Sequence, residues 1–491
     1  MSAILALALV SMSGALEVGE LTATSKPAGA TLVWTNQIDT LGIVVVRATN
    51  AVPNTAPSNG STYTVGATLG NGTVRYVGSA ATFTDSGLTN GTRYYYRVFN
   101  RALLNVYSSG EVPTSNGISV VPTDQVSPNP RWCYSTGLAL TQQPVVDPNA
   151  GVMTAGNSGR MLSLDTTGAE RFRPLALFSP IGGRMSSVPL LNRTGRYGIV
   201  GDQSGLLYGI NLATGDVAIT GNGGLTLGDA LTATAGTQLY TYANAAFQAA
   251  NAGRDLIFVA TRNLLATGNA VFALSSASGA IVWTYAPGDM DVINGGVLVD
   301  YAKNQVWVAG RSNSGTQASL RVLNSLTGAE VQRASLGDID TGVVKDFGSN
   351  QAFMINTAGI AYGYNLNTGA QEWSANVGAV SSYPYPTGNG FIASLLSGSV
   401  QRWSLSGGTA SLLWTAAVPG PSGVTIDYTN QTLYVGASDG TLRKIALATG
   451  TQTGSYVIST AAVGMPTIDV TASRLHVGTM TGDLCSFTMP L

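Results

Sequence analysis

A short pattern returns along most of this chain. The dipeptides Thr167-Gly168, Thr214-Gly215, Ser278-Gly279, Thr327-Gly328, Thr368-Gly369 and Thr449-Gly450 each stand between two strand-like runs, the second of which often carries Trp. A degenerate copy, Ser406-Gly-Gly408, lies between the last two. The mean step is about 45 residues, the period of four-stranded propeller blades. A single four-stranded unit cannot bury both of its faces, so units with this period stack radially and close into a ring. That constraint sets the fold class as all-β.

Composition agrees and narrows the function. Of 491 residues 61 are glycine, spread along the whole length, and only 10% are charged, against roughly 25% in ordinary soluble proteins. With 24 basic and 25 acidic groups and a net charge of −1, no global field exists to hold a polyanion, which excludes nucleic acid as a partner. Two cysteines, Cys133 and Cys485, cannot build a structural zinc site or an iron–sulfur cluster, and neither lies in a CxxCH haem motif.

Residues 1–18 form an apolar leader. The stretch Ala3 to Val10 is followed by Ser13-Gly14-Ala15, which satisfies the small-x-small rule for signal cleavage before Leu16, although a positive n-region is missing. The alternative is a retained apolar arm that packs into an assembly. The stretch is short for a membrane span, and no other segment approaches spanning length.

Residues 19–121 alternate short β-branched and aromatic runs with Gly, Asn and Pro turns, the mark of a β-sandwich. Ala30-Thr-Leu-Val-Trp-Thr-Asn36 and Gly42-Ile-Val-Val-Val-Arg-Ala-Thr49 read as strands, and Leu88-Thr-Asn-Gly-Thr-Arg-Tyr94 as a turn entering a third. This region resembles the fibronectin type III domain, with Trp34 at the core Trp position and Tyr94 at the tyrosine corner; Asn90 stands where that family usually has Pro. The resemblance implies a spacer or adhesion module. Residues 122–130 read as a linker within the Pro-rich stretch Pro113 to Pro130.

Residues 131–491 resemble the pyrroloquinoline-quinone-type propeller repeat. The copies include Ser204-Gly-Leu-Leu-Tyr-Gly-Ile-Asn-Leu-Ala-Thr-Gly215 and Gly359-Ile-Ala-Tyr-Gly-Tyr-Asn-Leu-Asn-Thr-Gly-Ala-Gln-Glu-Trp373. Counting innermost strands near Val145, Pro189, Ala230, Val297, Val343, Tyr383, Val424 and Pro466 gives an eight-bladed ring, so the expected architecture is a fibronectin type III-like sandwich followed by an eight-bladed β-propeller. The last blade lacks an outermost strand. Arg131-Trp-Cys-Tyr-Ser-Thr136 matches the Trp-bearing outer strands at Trp283 and Trp373 and would supply it, antiparallel to Asp483-Leu-Cys-Ser-Phe487. Alignment with the hairpin from Val271 to Tyr285 then sets Cys485 level with Phe272 and Cys133 level with Thr284, cross-strand neighbours or one register step apart. A structural disulfide between Cys133 and Cys485 is expected, worth roughly 5 kcal/mol at most; the alternative is two buried free thiols.

The quinone-dependent dehydrogenases built on such repeats carry a vicinal Cys-Cys pair, a calcium site and a catalytic Asp. No Cys-Cys occurs here, so quinone catalysis is disfavoured and no cofactor is expected. His476, the only histidine, lies inside the strand Leu475-His-Val-Gly478 and reads as a satisfied core residue rather than a catalytic base. A Walker loop is absent. Gly288-Asp-Met-Asp291 and Gly337-Asp-Ile-Asp340 recur at the entry to successive inner strands. Their carboxylates, Asp289, Asp291, Asp338 and Asp340, could hold a hard cation such as Ca²⁺; the plainer role is hydrogen bonding to their own turns. Asn-x-Ser/Thr at Asn59, Asn71, Asn90, Asn192 and Asn430 is accounted for by turn chemistry. The inserts Ala51 to Tyr76 and Tyr240 to Asn251 are departures that emerge on a surface.

The leading expectation is a non-catalytic exported structural protein of the cell surface or an extracellular assembly, forming a filament or layer by self-association through propeller and sandwich. The alternative is a periplasmic protein-binding propeller similar to the outer-membrane barrel-assembly component. A quinone-dependent enzyme comes third.

Overall fold

The computed structural model describes residues 14–491 apart from 113–115, 124–128, 141–142, 148–150, 156–160, 172–189, 192–196, 202–205, 212–224, 227–233, 241–255, 262–268, 276–279, 301, 313–316, 347 and 407. Outside the described residues therefore lie Thr214-Gly215, Ser278-Gly279, the inner positions Pro189 and Ala230, Asn192, and nearly all of the insert at 240–251.

The N-terminal strands are β1 (Gly19–Lys26), β2 (Gly29–Thr35), β3 (Gly42–Thr49), β4 (Thr68–Leu69), β5 (Gly72–Gly78), β6 (Thr82–Ser86), β7 (Tyr94–Arg101) and β8 (Ile118–Val120). They form two antiparallel layers: β1, β2 and β6 face a sheet of order β4-β5-β3-β7-β8. The inward side chains of alternating positions make the core, with Trp34, Val45, Tyr96 and Val98 at 1% exposure or less. The Tyr94 hydroxyl accepts from the Thr89 amide at 3.0 Å, the bond of a tyrosine corner. Asp85, almost fully buried, is neutralised by Arg47 at 2.8 Å and Arg75 at 3.0 Å and accepts from the Tyr96 hydroxyl at 2.9 Å. This cluster ties β6 to β3, β5 and β7.

From Val145 onward the chain forms successive antiparallel meanders. Complete four-stranded sheets run from Leu190 to Thr226, Thr234 to Tyr285, Leu298 to Ala334, Val344 to Asn376, Tyr385 to Ala417 and Val424 to Val457; Val145 to Asp165 gives three strands. The second strand of each fully described sheet is buried on both faces, as in Gln351–Ile355 and Gly390–Leu395, whereas outermost strands such as Gln371–Asn376 alternate buried and exposed. That gradient is what radial stacking requires. The final strands, Thr467–Asp469, Arg474–Gly478 and Asp483–Thr488, are completed by β9 (Trp132–Ser135). In the antiparallel register Cys485 lies opposite Cys133, and the two are joined by a disulfide. Phe272 and Thr284, the positions used as the template, are likewise paired.

The repeated glycine has a direct physical role. Gly168, Gly328 and Gly450 have φ of +80°, +72° and +72°, and a Cβ on them would lie 2.6, 2.7 and 2.7 Å from Trp132, Trp283 and Trp414. The same indoles donate to Thr166, Ser325 and Leu447 carbonyls at 3.0, 3.0 and 2.9 Å. These three turns thus lie on the Trp of the preceding outer strand. Trp132 of β9 meets Gly168 of the first meander in the same way, so β9 serves as the outer strand that precedes that meander. Where Gln332 replaces Trp, its Nε2 donates to the Gly369 carbonyl at 2.7 Å. Beside the degenerate 406–408 turn, Trp373 instead donates to Gln351 within its own sheet and stacks on Phe391.

One feature departs from a module-and-linker layout. β1 pairs with β9 (Ala23 with Ser135, Thr24 with Tyr134, Ser25 with Cys133), so a seven-stranded sheet crosses from the last meander into the sandwich. Thr22 and Thr24 also donate to Glu170 at 2.7 Å and to the Gly168 carbonyl at 3.0 Å. The sandwich therefore straddles the point where first and last meanders meet.

Candidate functional site

A cleft of about 490 Å³ lies at this junction. One wall is β8 with the following Val121-Pro122, and the other is Val457 to Thr460; the floor is β9 and the strand Asp483–Thr488, including the disulfide. β8 and the strand Gln452–Val457 each stand last in their sheets. The walls carry Val457 and Ile458 beside Asn90, Ser119 and Ser459. Arg93 lines the cleft and donates to Ser119 Oγ at 3.0 Å. Asp483 faces it from below: burial pushes its carboxyl up, opposed by hydrogen bonds from Ser135 and Thr481 and by the charge of Arg93. The Thr481 bond is 2.9 Å. The site is a mixed apolar and polar trough with one cation and one buried acid, suited to binding a chain in extended form.

The axial end of the meanders is differently built. Gln143, Tyr383 and Met465 each stand two residues before an innermost strand. The Tyr383 hydroxyl donates to Gln143 Oε1 at 3.0 Å and lies 3.4 Å from Met465 Sδ. These contacts join loops more than 80 residues apart and fill the space between them.

Of the four aspartates, Asp291, Asp338 and Asp340 all act on the charge of Arg311, while Asp289 is turned to Arg321. Asp289 pairs with the buried Arg321 at 2.7 Å, and Asp340 takes a fork from Arg311, Nε at 2.8 Å and Nη2 at 2.7 Å, plus Asn294 at 2.7 Å. Asp338 accepts from the Ser312 amide at 3.1 Å and Asp291 from the Val292 amide at 2.7 Å. Among the described residues no group of three or more His, Cys, Asp or Glu side chains is placed to hold a metal. The four carboxylates named above as a cation site have arginines and backbone amides as their partners. Arg311 and the strand residue Arg321 take these oxygens, which the acidic spacing alone does not reveal.

His476 is buried, with its ring 5.9 Å from that of Trp132. Burial pushes its pKa down to about 4, with Asp469 opposing and Arg474 assisting. The expectation of a satisfied histidine is also amended: Nδ1 has no hydrogen-bond partner. A neutral, enclosed imidazole does not serve as a proton shuttle to solvent. Asn430 bonds within its turn to Asp427, whereas Asn59, Asn71 and Asn90 bond to backbone of other segments, at Tyr107, Val52 and Ala28. No helix among the described residues is long and apolar enough to cross a membrane.

Residues 356–485 match the family model described as outer membrane protein assembly factor BamB. No curated protein matches the chain. Among solved structures, BamB from Moraxella catarrhalis aligns with a TM-score of 0.54 at 18% identity, covering 74% of this chain and 97% of that one. The computationally designed Ika8 protein aligns with a TM-score of 0.54 at 13% identity, over 72% and 98% of the two chains. The C-terminal WD40 domain of Sif2 gives 0.54 at 13% identity, over 72% and 97%. At these identities the likeness is one of fold: the chain is an all-β protein whose larger part is a β-propeller carrying a BamB-like repeat.

Proposed function

We propose that this chain is a non-catalytic, extracytoplasmic protein-binding platform: an eight-bladed propeller of PQQ-type repeats joined edge to edge with a fibronectin type III-like sandwich. It needs no cofactor of its own, and its interdomain cleft takes an extended segment of a partner protein. The observation that carries this reading is the cleft itself, walled by two strands that end their sheets and floored by a cross-linked pair. An incoming strand would meet backbone on both sides, with Ile458 for an apolar side chain and Arg93 for an acidic one. The BamB-like repeat supports a protein partner and a periplasmic or outer-membrane-associated setting.

Ser459→Trp, which fills the trough from one wall, tests it. Fluorescence anisotropy against extended peptides of alternating polar and apolar pattern should give at least about tenfold weaker binding for the variant. Equal binding by wild type and variant rejects the cleft.

A second reading, self-association into a filament or layer, is favoured by one feature. At the sandwich end near Leu16, Ile38, Leu41, Leu103 and Leu104 are 98%, 57%, 50% and 76% exposed. Leu104 holds a left-handed φ of 59° at the tip of its turn, a strained presentation for a large side chain. Sedimentation of Leu104→Asp against wild type separates the readings: polymers lost in the variant support assembly, and monomers in both leave the binding platform.

A further inference from the structure

The described part of the chain is fastened abruptly at Leu16. Its backbone nitrogen donates to Asp39 Oδ2 at 2.9 Å. Asn100, fully buried, donates from Nδ2 to Asp39 Oδ1 at 2.7 Å and to the Leu16 carbonyl at 3.0 Å, fixing carboxylate and backbone together. The next residue, Glu17, inserts its carboxylate among the amides of Ser109, Gly110 and Glu111, at 2.6, 3.0 and 3.3 Å, and accepts from Ser109 Oγ at 2.6 Å. Val18 then enters the core at 1% exposure. On the other side of the Ala15–Leu16 bond the setting changes. Gly14 has φ +87° with open space around it, and the sequence Ser13-Gly14-Ala15 has the small residues that an export endopeptidase selects.

We propose that the Ala15–Leu16 bond is a processing site and that Asp39, held by Asn100, is a preformed seat for the α-ammonium group that cleavage creates. In the step, water adds across the peptide bond under an endopeptidase selective for small residues; Ala15 leaves with the carboxylate, and the Leu16 nitrogen takes up a proton. A neutral amide offers this carboxylate one hydrogen and no charge. The new ammonium offers three hydrogens and a full positive charge at the same place, so the contact becomes a charge-assisted hydrogen bond. Cleavage therefore strengthens the end of the sandwich that it exposes. The other charged groups at this end are Glu17 and Glu111, whose segments meet in the amide nest, and Arg101, whose guanidinium reaches the Leu41 carbonyl at 3.4 Å. None of these bonds to the Leu16 nitrogen directly.

Two measurements test the proposal. Intact-mass and N-terminal peptide analysis of the native protein is expected to find Leu16 first; a chain that retains Met1, or starts at any other residue, overturns the processing site. Asp39→Asn is then made in chains beginning at Leu16 and at Gly14. Asp39 accepts the Leu16 N–H in both, so each loses some stability, but only the first loses an ion pair. The Tm drop should be larger in the Leu16 chain by about 2 °C or more at pH 7. That excess should fade as pH rises beyond the α-amino range of about 8, which Asp39 raises. An equal drop in both chains, at every pH, overturns the seat even if the native chain starts at Leu16.

Discussion

His476 carries the clearest pH signature at the residue scale. Its folded pKa, pushed down to about 4 by burial, lies below the value of about 6.5 expected in the unfolded chain. The unfolded state therefore binds the proton first, and stability falls as pH drops from about 6.5 toward 4, by roughly 3 kcal/mol across the window. Asp483 acts in the opposite sense. Its raised carboxyl favours the fold when protonated, and that contribution is lost as pH rises through its folded pKa. Subtracting a variant isolates the histidine: urea unfolding of His476→Phe should show a flatter decline than wild type between pH 6.5 and 4. Parallel curves would mean that the imidazole is hydrated in solution. Nothing in the sequence marks this environment, because a strand histidine reads the same whether its nitrogens are partnered or not. The aspartate quartet shows the same blindness: carboxylate spacing was visible, while the arginines that claim Asp289 and Asp340 arrive from other parts of the chain.

Between elements, the decisive contact is glycine on indole. Gly450→Ala would place a methyl group about 2.7 Å from Trp414 in a left-handed backbone position, so a loss of about 2–4 kcal/mol is expected in chemical denaturation. Gly288→Ala, also at positive φ but with open space around it, should cost about 1 kcal/mol by backbone strain alone. Equal losses would remove the indole contact as the reason for the repeat. This contact is one reason the propeller was legible: at Gly168, Gly328 and Gly450 the Thr-Gly or Thr-Thr-Gly turn is the visible half of a pair whose other half is a Trp in the preceding outer strand. Trp132 could be aligned with Trp283 on that basis, and it occupies the corresponding place against Gly168. The pairing of β1 with β9 left no such trace. Joining two sheets edge to edge uses backbone hydrogen bonds, which impose no side-chain period, and a Pro-rich stretch between them reads as a flexible spacer. The cleft was hidden for the same reason, since its walls exist only once those sheets are joined.

For the whole molecule, the disulfide matters through the length of chain it spans. Cys133 and Cys485 are 352 residues apart, so linking them removes about 5 kcal/mol of unfolded-state entropy by the loop-closure estimate. The double variant Cys133→Ser/Cys485→Ser should unfold at lower denaturant by a corresponding amount while keeping its β-sheet circular dichroism, because the pairing of Asp483 with Ser135 and Leu484 with Tyr134 does not depend on sulfur. An unchanged midpoint would contradict the link. The same pairing also has a mechanical meaning. Tension applied to the sandwich enters β1 and passes across its hydrogen bonds to β9, then through a covalent bridge into the strand that ends the chain. A partner tugging on either part therefore loads the seam in shear along several strands at once, and the two bodies move as one under force.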